Sequence, residues 1–343
     1  MKKRIIILQS KYHGSNQQLL SIAKYAFSDY DPHAVHIELR SRKKILLPIY
    51  KIIIIVRNYL GSRNPISQLL NTLALKNVKG KILDADIILA KTAPYECPAQ
   101  MLAAGTRASV YFIGQPRRFP TDKFTCLVST PSTPVQPNDI TLETLPTFST
   151  FKNYHRHKIN TKKPSRIWGM LLGGNAKGFK YDNKTWLTLA TDMQEIAKKY
   201  KIKWLISTSP RTGKNAEAIF KKIFPEPSPE LYELSCWGDP QQKSILDCLS
   251  CSEVVFVTED SASMISEAVN CRIPTVSIRP KKTGYNGLTE PLATYHHQKG
   301  TLIRMTSDEI KSFDFPLWIS KDFKPLTLCW TEQWQKQAQE KQP

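Results

Sequence analysis

The sequence predicts an α/β protein built from two Rossmann-like domains facing a cleft. Three observations carry that expectation. Short apolar runs alternate with helical stretches along the whole chain, which is the pattern of doubly wound parallel sheets. The alternation runs twice, and a polar, basic stretch from His155 to Pro164 separates the two series. A chain of 343 residues is also long for one hydrophobic core and suits two. The expected division is 1–150 for an N-terminal domain, 151–165 for a linker, 166–315 for a C-terminal domain and 316–343 for a tail.

In the first series the expected strands are 4–8, 34–38, 86–90, 109–113 and 124–128, with helices near 16–27, 67–75 and 98–104. The opening Met1-Lys2-Lys3-Arg4 precedes Ile5-Ile6-Ile7-Leu8, the charge order of a signal peptide. Its apolar run is too short and no small-residue cleavage site follows, so it reads as a first strand. In the second series the strands are 167–172, 203–207, 231–236, 253–257 and 275–278, with helices 184–199, 214–222, 241–250 and 262–270. The Gln- and Lys-rich tail from Trp330 reads as a helix docked back on the first domain. No run approaches the roughly 20 apolar residues that a bilayer span needs.

A net charge of +20 implies an acidic partner. The charge is concentrated: between Leu39 and Leu83 there are ten cations and no Asp or Glu. Inside that stretch, residues 45–56 are mostly apolar. Arg40, Arg42, Lys43, Lys44, Lys51 and Arg57 lie within or beside them. Apolar residues flanked by cations suit a segment lying on an anionic membrane, each nearby cation adding about 1 kcal/mol. A buried helix or strand with basic ends fits the same residues. Nucleic acid is not expected, since no zinc-finger, RNP-like or KH-type pattern appears. Seven scattered cysteines read as reduced thiols of a cytosolic protein, and Cys248-x-x-Cys251 as two buried thiols.

The most informative stretch follows the strand at 253–257. Asp260 and Ser261 fall at the start of a helix, where free N–H groups and the helix dipole attract anions. Glu267 lies two turns further in, placed to accept from a ribose, and a second short strand follows. Gly173-Gly174 closes a strand and lets a phosphate approach the backbone. Arg211 lies in a loop after a strand with Ser207, Thr208 and Ser209, and its fork suits a diphosphate. His13, after the first strand, is placed to take a proton from a bound hydroxyl, and Thr92 lies on a second edge loop. Each feature alone also fits a plainer reading: a turn for the glycines, a solvated charge for Arg211, a structural or surface imidazole for His13.

With these residues in view, the chain resembles the family named for mitochondrial fission ELM proteins, whose bacterial members are regarded as glycosyltransferases of GT-B type. Thr258-x-Asp260-Ser261-x-x-Met264-x-Ser266-Glu267-Ala268 with Pro274 looks like its strongest motif, and Ser263, within the same stretch, is counted with the expected donor-binding residues. Leu172-Gly173-Gly174 is similar to its glycine loop, and Ser207 to Thr212 to its Ser-Arg-rich loop. Asn16-Gln17, with Gly14 before it, looks like its first βα turn. The family's Gly-His order is reversed in His13-Gly14, its arginine pair is the single Arg211, and Gly238-Asp239-Pro240 replaces an Asn-Pro-Tyr.

The resemblance implies a metal-independent transferase with no cofactor. Its donor is a nucleotide-sugar and its acceptor a lipid-linked or lipopolysaccharide-type saccharide at the inner, cytoplasmic membrane face. No Asp-x-Asp metal motif of the other large transferase fold is present. In GT-B relatives a glutamate at the position of Glu259 faces the donor sugar, one at Glu267 binds ribose, and backbone near Trp237 reads the base. A loop carboxylate is the plainer reading of Glu259, and a packed core position that of Trp237. A non-catalytic membrane-associated adaptor on the same fold is the alternative. An NAD-type oxidoreductase lacks its G-x-G-x-x-G near the first strand.

Overall fold

The structure is a computed structural model that describes residues 4–10, 13–39, 46–61, 64–79, 85–91, 95–131, 139–148, 166–281, 284 and 289–340. It divides into two compact units, one of Met1–Thr147 with Trp330–Pro343 and one of Phe148–Cys329. The expected linker at 151–165 lies outside the described residues.

The first unit runs β1 (Arg4–Gln9), α1 (His13–Ala26), β2 (Asp31–Leu39), α2 (Leu46–Leu60), α3 (Pro65–Ala74), β3 (Leu75–Lys79), β4 (Ile87–Lys91), α4 (Glu96–Ala103), β5 (Ser109–Ile113), β6 (Cys126–Ser129) and β7 (Ile140–Thr141). Its sheet has the order β3-β2-β1-β4-β5-β6-β7. Every pairing is parallel except β2 with β3. The central strands β1 and β4 are continuous apolar runs because both faces are covered; Ile5, Ile7, Leu89 and Ala90 are all buried. The antiparallel edge strand β3 departs from the sequence reading, which carried a helix to residue 75. With only five residues, β3 is too short to announce a period of two.

The segment whose character the sequence left open is helical, as α2. Its inner face buries Tyr50, Ile53 and Arg57. The Arg57 guanidinium donates to the Leu102 and Ala104 carbonyls, each at 3.3 Å. Those acceptors belong to the end of α4, so Arg57 ties α2 to its neighbour and is withdrawn from the cations expected to face a membrane. The opposite face of α2 is exposed.

After the second unit the chain returns to the first as α11 (Trp330–Glu340). Trp330 and Trp334 are buried with Leu19, Ile22 and Ile140. The glutamines have a specific task. Gln337 accepts the Thr141 N–H at 2.9 Å and donates to the Thr141 carbonyl at 2.7 Å, and Gln333 accepts the Glu143 N–H at 2.8 Å. Side-chain amides thereby satisfy the outer backbone of the edge strand β7.

The second unit runs β8 (Arg166–Leu171), α5 (Asn183–Tyr200), β9 (Ile202–Ser207), α6 (Lys214–Ile223), β10 (Leu231–Ser235), α7 (Ile245–Cys251), β11 (Val254–Thr258), α8 (Ala262–Asn270), β12 (Thr275–Arg279), α9 (Thr289–Lys299), β13 (Leu302–Thr306) and α10 (Phe315–Lys321). Its sheet is wholly parallel, in the order β10-β9-β8-β11-β12-β13. The core is aromatic: the Phe256 ring lies 5.1 Å from both Trp204 and Phe315. Side chains cap the helix starts, with Asp182 accepting the Thr185 N–H at 2.7 Å before α5 and Ser244 with Asp247 forming a capping box at α7. The direction of winding reverses between β8 and β11. In open α/β sheets the carboxyl ends of the strands at such a switch point are where ligands bind.

All seven cysteines are free thiols, and burial pushes the Cys248 thiol up to about 12. Among the described residues no group of three or more His, Cys, Asp or Glu is placed to hold a metal ion. Among the same residues no helix is long and apolar enough to cross a membrane.

Candidate functional site

Four loops come together at the carboxyl ends of β8, β9, β10 and β11. Gly173, just past β8, donates its N–H to Thr258 Oγ1 at 2.6 Å, and Gly174 donates to Asp260 Oδ2 at 3.1 Å. A Cβ at Gly173 would overlap the Asp260 carboxylate, and one at Gly174 would overlap the Arg211 backbone carbonyl. The two glycines therefore make room for the protein's own carboxylate and loop, which is more than a plain turn requires.

The loop after β9 is locked from within. Thr212 Oγ1 donates to the Gly173 carbonyl at 2.6 Å and accepts the Ser209 N–H at 2.9 Å. Ser207, Thr208 and Ser209 are all buried. Thr208 Oγ1 donates to Glu217 Oε1 at 2.8 Å and accepts the Trp237 N–H at 2.7 Å. Burial opposes ionisation of Glu217, but hydrogen bonds from Lys214 and Thr208 outweigh it and hold the carboxyl below its usual range. Trp237 itself is 45% exposed, so it is not a packed core tryptophan.

Arg211 Nη2 lies 2.7 Å from Asp260 Oδ2; the arginine side chain is 42% exposed and the aspartate side chain is fully buried. Burial pushes the Asp260 carboxyl above its ordinary value, against the opposing pull of Arg211 and the Gly174 N–H. Tyr181 borders this carboxylate. Its phenol is pushed well up, first by burial and then by the charge of Asp260. Neither Tyr181 Oη nor Asp260 Oδ1 has a hydrogen-bond partner among the described residues.

Ser261 caps α8 by accepting the Met264 N–H at 3.4 Å. Met264 is buried in the first turn of α8. Ser263 and Glu267, four residues apart on one side of α8, are half-buried. Glu259 differs most from its expected surroundings. It is fully buried, with Arg304 donating to both carboxylate oxygens at 2.9 and 2.6 Å and Ser277 Oγ donating at 3.1 Å. Arg304 also reaches Glu290 at 2.8 Å and Thr294 at 2.7 Å. Glu259 thus lies in the loop after β11, as its position in the sequence suggests, but is closed off from solvent; through Arg304 it anchors that loop to β13 and α9.

In the first unit, His13 and Gly14 open α1, and Gly14 is exposed. The Asn16 amide accepts the Ser10 N–H at 2.8 Å and donates to the Ser10 carbonyl at 2.7 Å, closing the turn between β1 and α1. Gln17 is half-buried on the first turns of α1, and its carbonyl accepts from Ser21 at 2.8 Å. Lys51 is exposed on α2. Thr92, Arg40, Arg42, Lys43, Lys44 and the side chain of His13 lie outside the described residues.

Sequence reasoning missed Arg304, Tyr181, Glu217 and Lys91, and quoted Thr212 within its loop without a role. The strand carrying Arg304 was itself not foreseen, and a lone tyrosine after a glycine loop has no spacing signal. Lys91, the last residue of β4, is buried and donates to Gln18 Oε1. Burial pushes its ammonium down to about 7.

The family model for mitochondrial fission ELM1 matches residues 14–301. The chain belongs to that family. Its fold is similar to that of Acinetobacter baumannii MurG, at 11% identity and a TM-score of 0.50, over 100% of this chain and 96% of that one. It is similar to S. aureus MnaA in its co-structure with UDP, at 11% identity and a TM-score of 0.55, over 96% and 94% of the two chains. It is also similar to the UDP-GlcNAc 2-epimerase of Neisseria meningitidis bound to UDP-GlcNAc, at 11% identity and a TM-score of 0.54, over 98% of each chain. At such identities the likeness shows the fold: this ELM1-family chain has the two Rossmann-like domains of GT-B proteins. No curated protein matches the sequence.

Proposed function

We propose that this ELM1-family protein transfers a sugar from a nucleotide-sugar donor to a lipid-linked or lipopolysaccharide-type acceptor at the inner membrane surface. The observation that carries the donor half is the Arg211–Asp260 pair, held against Gly174 at the β8/β11 switch point and beside the capped start of α8. There the exposed part of the Arg211 guanidinium and the first-turn N–H groups of α8 receive the diphosphate, which leaves as an anion. Glu267 and Ser263, on the half-buried side of α8, take the ribose. Trp237 stacks on the base. Structures of similar fold that hold UDP or UDP-GlcNAc support a nucleoside diphosphate donor. In transfer, an acceptor hydroxyl attacks the anomeric carbon, the bond to the diphosphate breaks, and the hydroxyl proton passes to a base, for which His13 is our candidate. Arginine and a helix start supply the positive charge, so the step requires no metal.

A second reading, a membrane-associated adaptor without catalysis, is favoured by Glu259: the carboxylate that would face a donor sugar is closed inside an ion pair with Arg304. Incubation with UDP-, GDP- and ADP-sugars and a bacterial lipid extract separates the two. Lipid-dependent release of one nucleoside diphosphate, lost in Glu267→Ala, is the transferase result. No release with any donor, by a folded protein, supports the adaptor.

A further inference from the structure

We propose that the outer face of α2 and α3 inserts into the headgroup region of an anionic bilayer. The inference rests on the membrane-acceptor reading for its purpose, but its observations are separate from the donor site. Seven of the eleven exposed large apolar side chains among the described residues lie on these two helices. On α2, Ile49, Ile52, Ile55 and Tyr59 follow one another at spacings of three, three and four residues, which aligns them on one side of the helix. Tyr59 is 89% exposed and Ile55 67%. On α3, Ile66 and Leu69 are also more than half exposed.

The inner face of α2 already packs through Tyr50, Ile53 and Arg57, so the helix is apolar on two opposite sides, and among the described residues only one of them is covered. An apolar face of this extent on a soluble surface marks a binding site. Charge selects the occupant. Lys51 is exposed beside the stripe, and the stretch from Leu39 to Leu83, to which both helices belong, contains no acid and nine cations besides the buried Arg57. A second copy docked through the same face would bring two such sets together. Anionic headgroups instead match the cations, while the shallow apolar layer beneath them receives the isoleucines and the tyrosine.

The test is co-sedimentation of the full chain with phosphatidylcholine vesicles containing or lacking phosphatidylglycerol. The wild type partitions onto the phosphatidylglycerol vesicles and not onto the neutral ones. The triple variant Ile52→Ser, Ile55→Ser, Tyr59→Ser, changed only at exposed positions, partitions roughly ten-fold more weakly or less. Lys51→Glu, a single exposed change, lowers partition about three-fold. Nucleoside diphosphate binding measured on the same variants stays at the wild-type value, which separates failure of this face from failure of the donor site. Equal partition of wild type and triple variant overturns the proposal. So does a concentration-dependent dimer in sedimentation velocity that the triple variant abolishes, since the face would then meet a second copy.

Discussion

Arg211 and Asp260 form an ion pair 2.7 Å long that joins a half-exposed cation to a fully buried anion. The pair links the loop after β9 to the loop after β11 across the intervening end of β8. It also fixes where positive charge is presented at the sheet edge. Replacing Arg211 by Ala leaves a buried carboxylate without its cation. Solvent screens the exposed end of Arg211, so the expected loss is about 1–2 kcal/mol, below that of a fully buried pair. The sign with pH follows from the raised Asp260 carboxyl. The acid form suits the folded state, so Arg211→Ala is weakest near neutrality and recovers as pH falls toward the ordinary aspartate range. Urea denaturation at neutral and acidic pH reads this directly.

Gly173 and Gly174 are crowded by different partners, and that predicts unequal costs. At Gly173 the obstacle is the end of the Asp260 side chain, whereas at Gly174 it is the Arg211 backbone. Gly173→Ala should cost about 1 kcal/mol and Gly174→Ala about 3 kcal/mol, because a side chain shifts more readily than a braced loop. Thermal denaturation of the two variants gives the order. The reverse order would mean that the loop after β9 yields more easily than its hydrogen bonds indicate.

Arg304 holds Glu259 with two hydrogen bonds and Glu290 with a third. Arg304→Met should destabilise by about 3 kcal/mol, since it strands a buried carboxylate. Arg304→Lys should recover less than half of that, because an ammonium cannot reproduce the two-pronged contact. Chemical denaturation midpoints of the three proteins check the prediction.

Lys91 makes stability depend on pH at the alkaline side. Its folded value of about 7 lies below the ordinary 10.5, so between those limits the unfolded chain binds more protons than the folded one. Stability from this group is complete above its unfolded value and is lost as pH falls to about 7, with no further change below. Lys91→Met should abolish that slope. A variant that keeps the same slope between pH 7 and 10 would assign it to another group.

Much of the second unit was legible because its strands are short apolar runs bounded by turn residues, and the Asp260-Ser261 helix start is a local signal that the structure realises as a cap. The glycine pair was also readable, though its neighbours were not. What the sequence could not show depends on distant pairing. Glu259 looks like a loop carboxylate until Arg304, forty-five residues later, is brought beside it. Arg57 looks like one more cation of a basic stretch until α4 supplies carbonyls to bury it against. The glutamines of α11 look merely polar until β7 offers them an open backbone edge. In each case the decisive partner is remote in sequence, and no periodicity reports it.

Isothermal titration with UDP, GDP and ADP, with and without magnesium, tests the donor site most directly. One nucleoside diphosphate should bind selectively and without a need for magnesium, and Glu267→Ala and Arg211→Ala should each weaken it about ten-fold or more. Equal affinity in wild type and both variants, or no binding of any of the three by the folded wild type, would contradict a nucleotide site at the β8/β11 switch point.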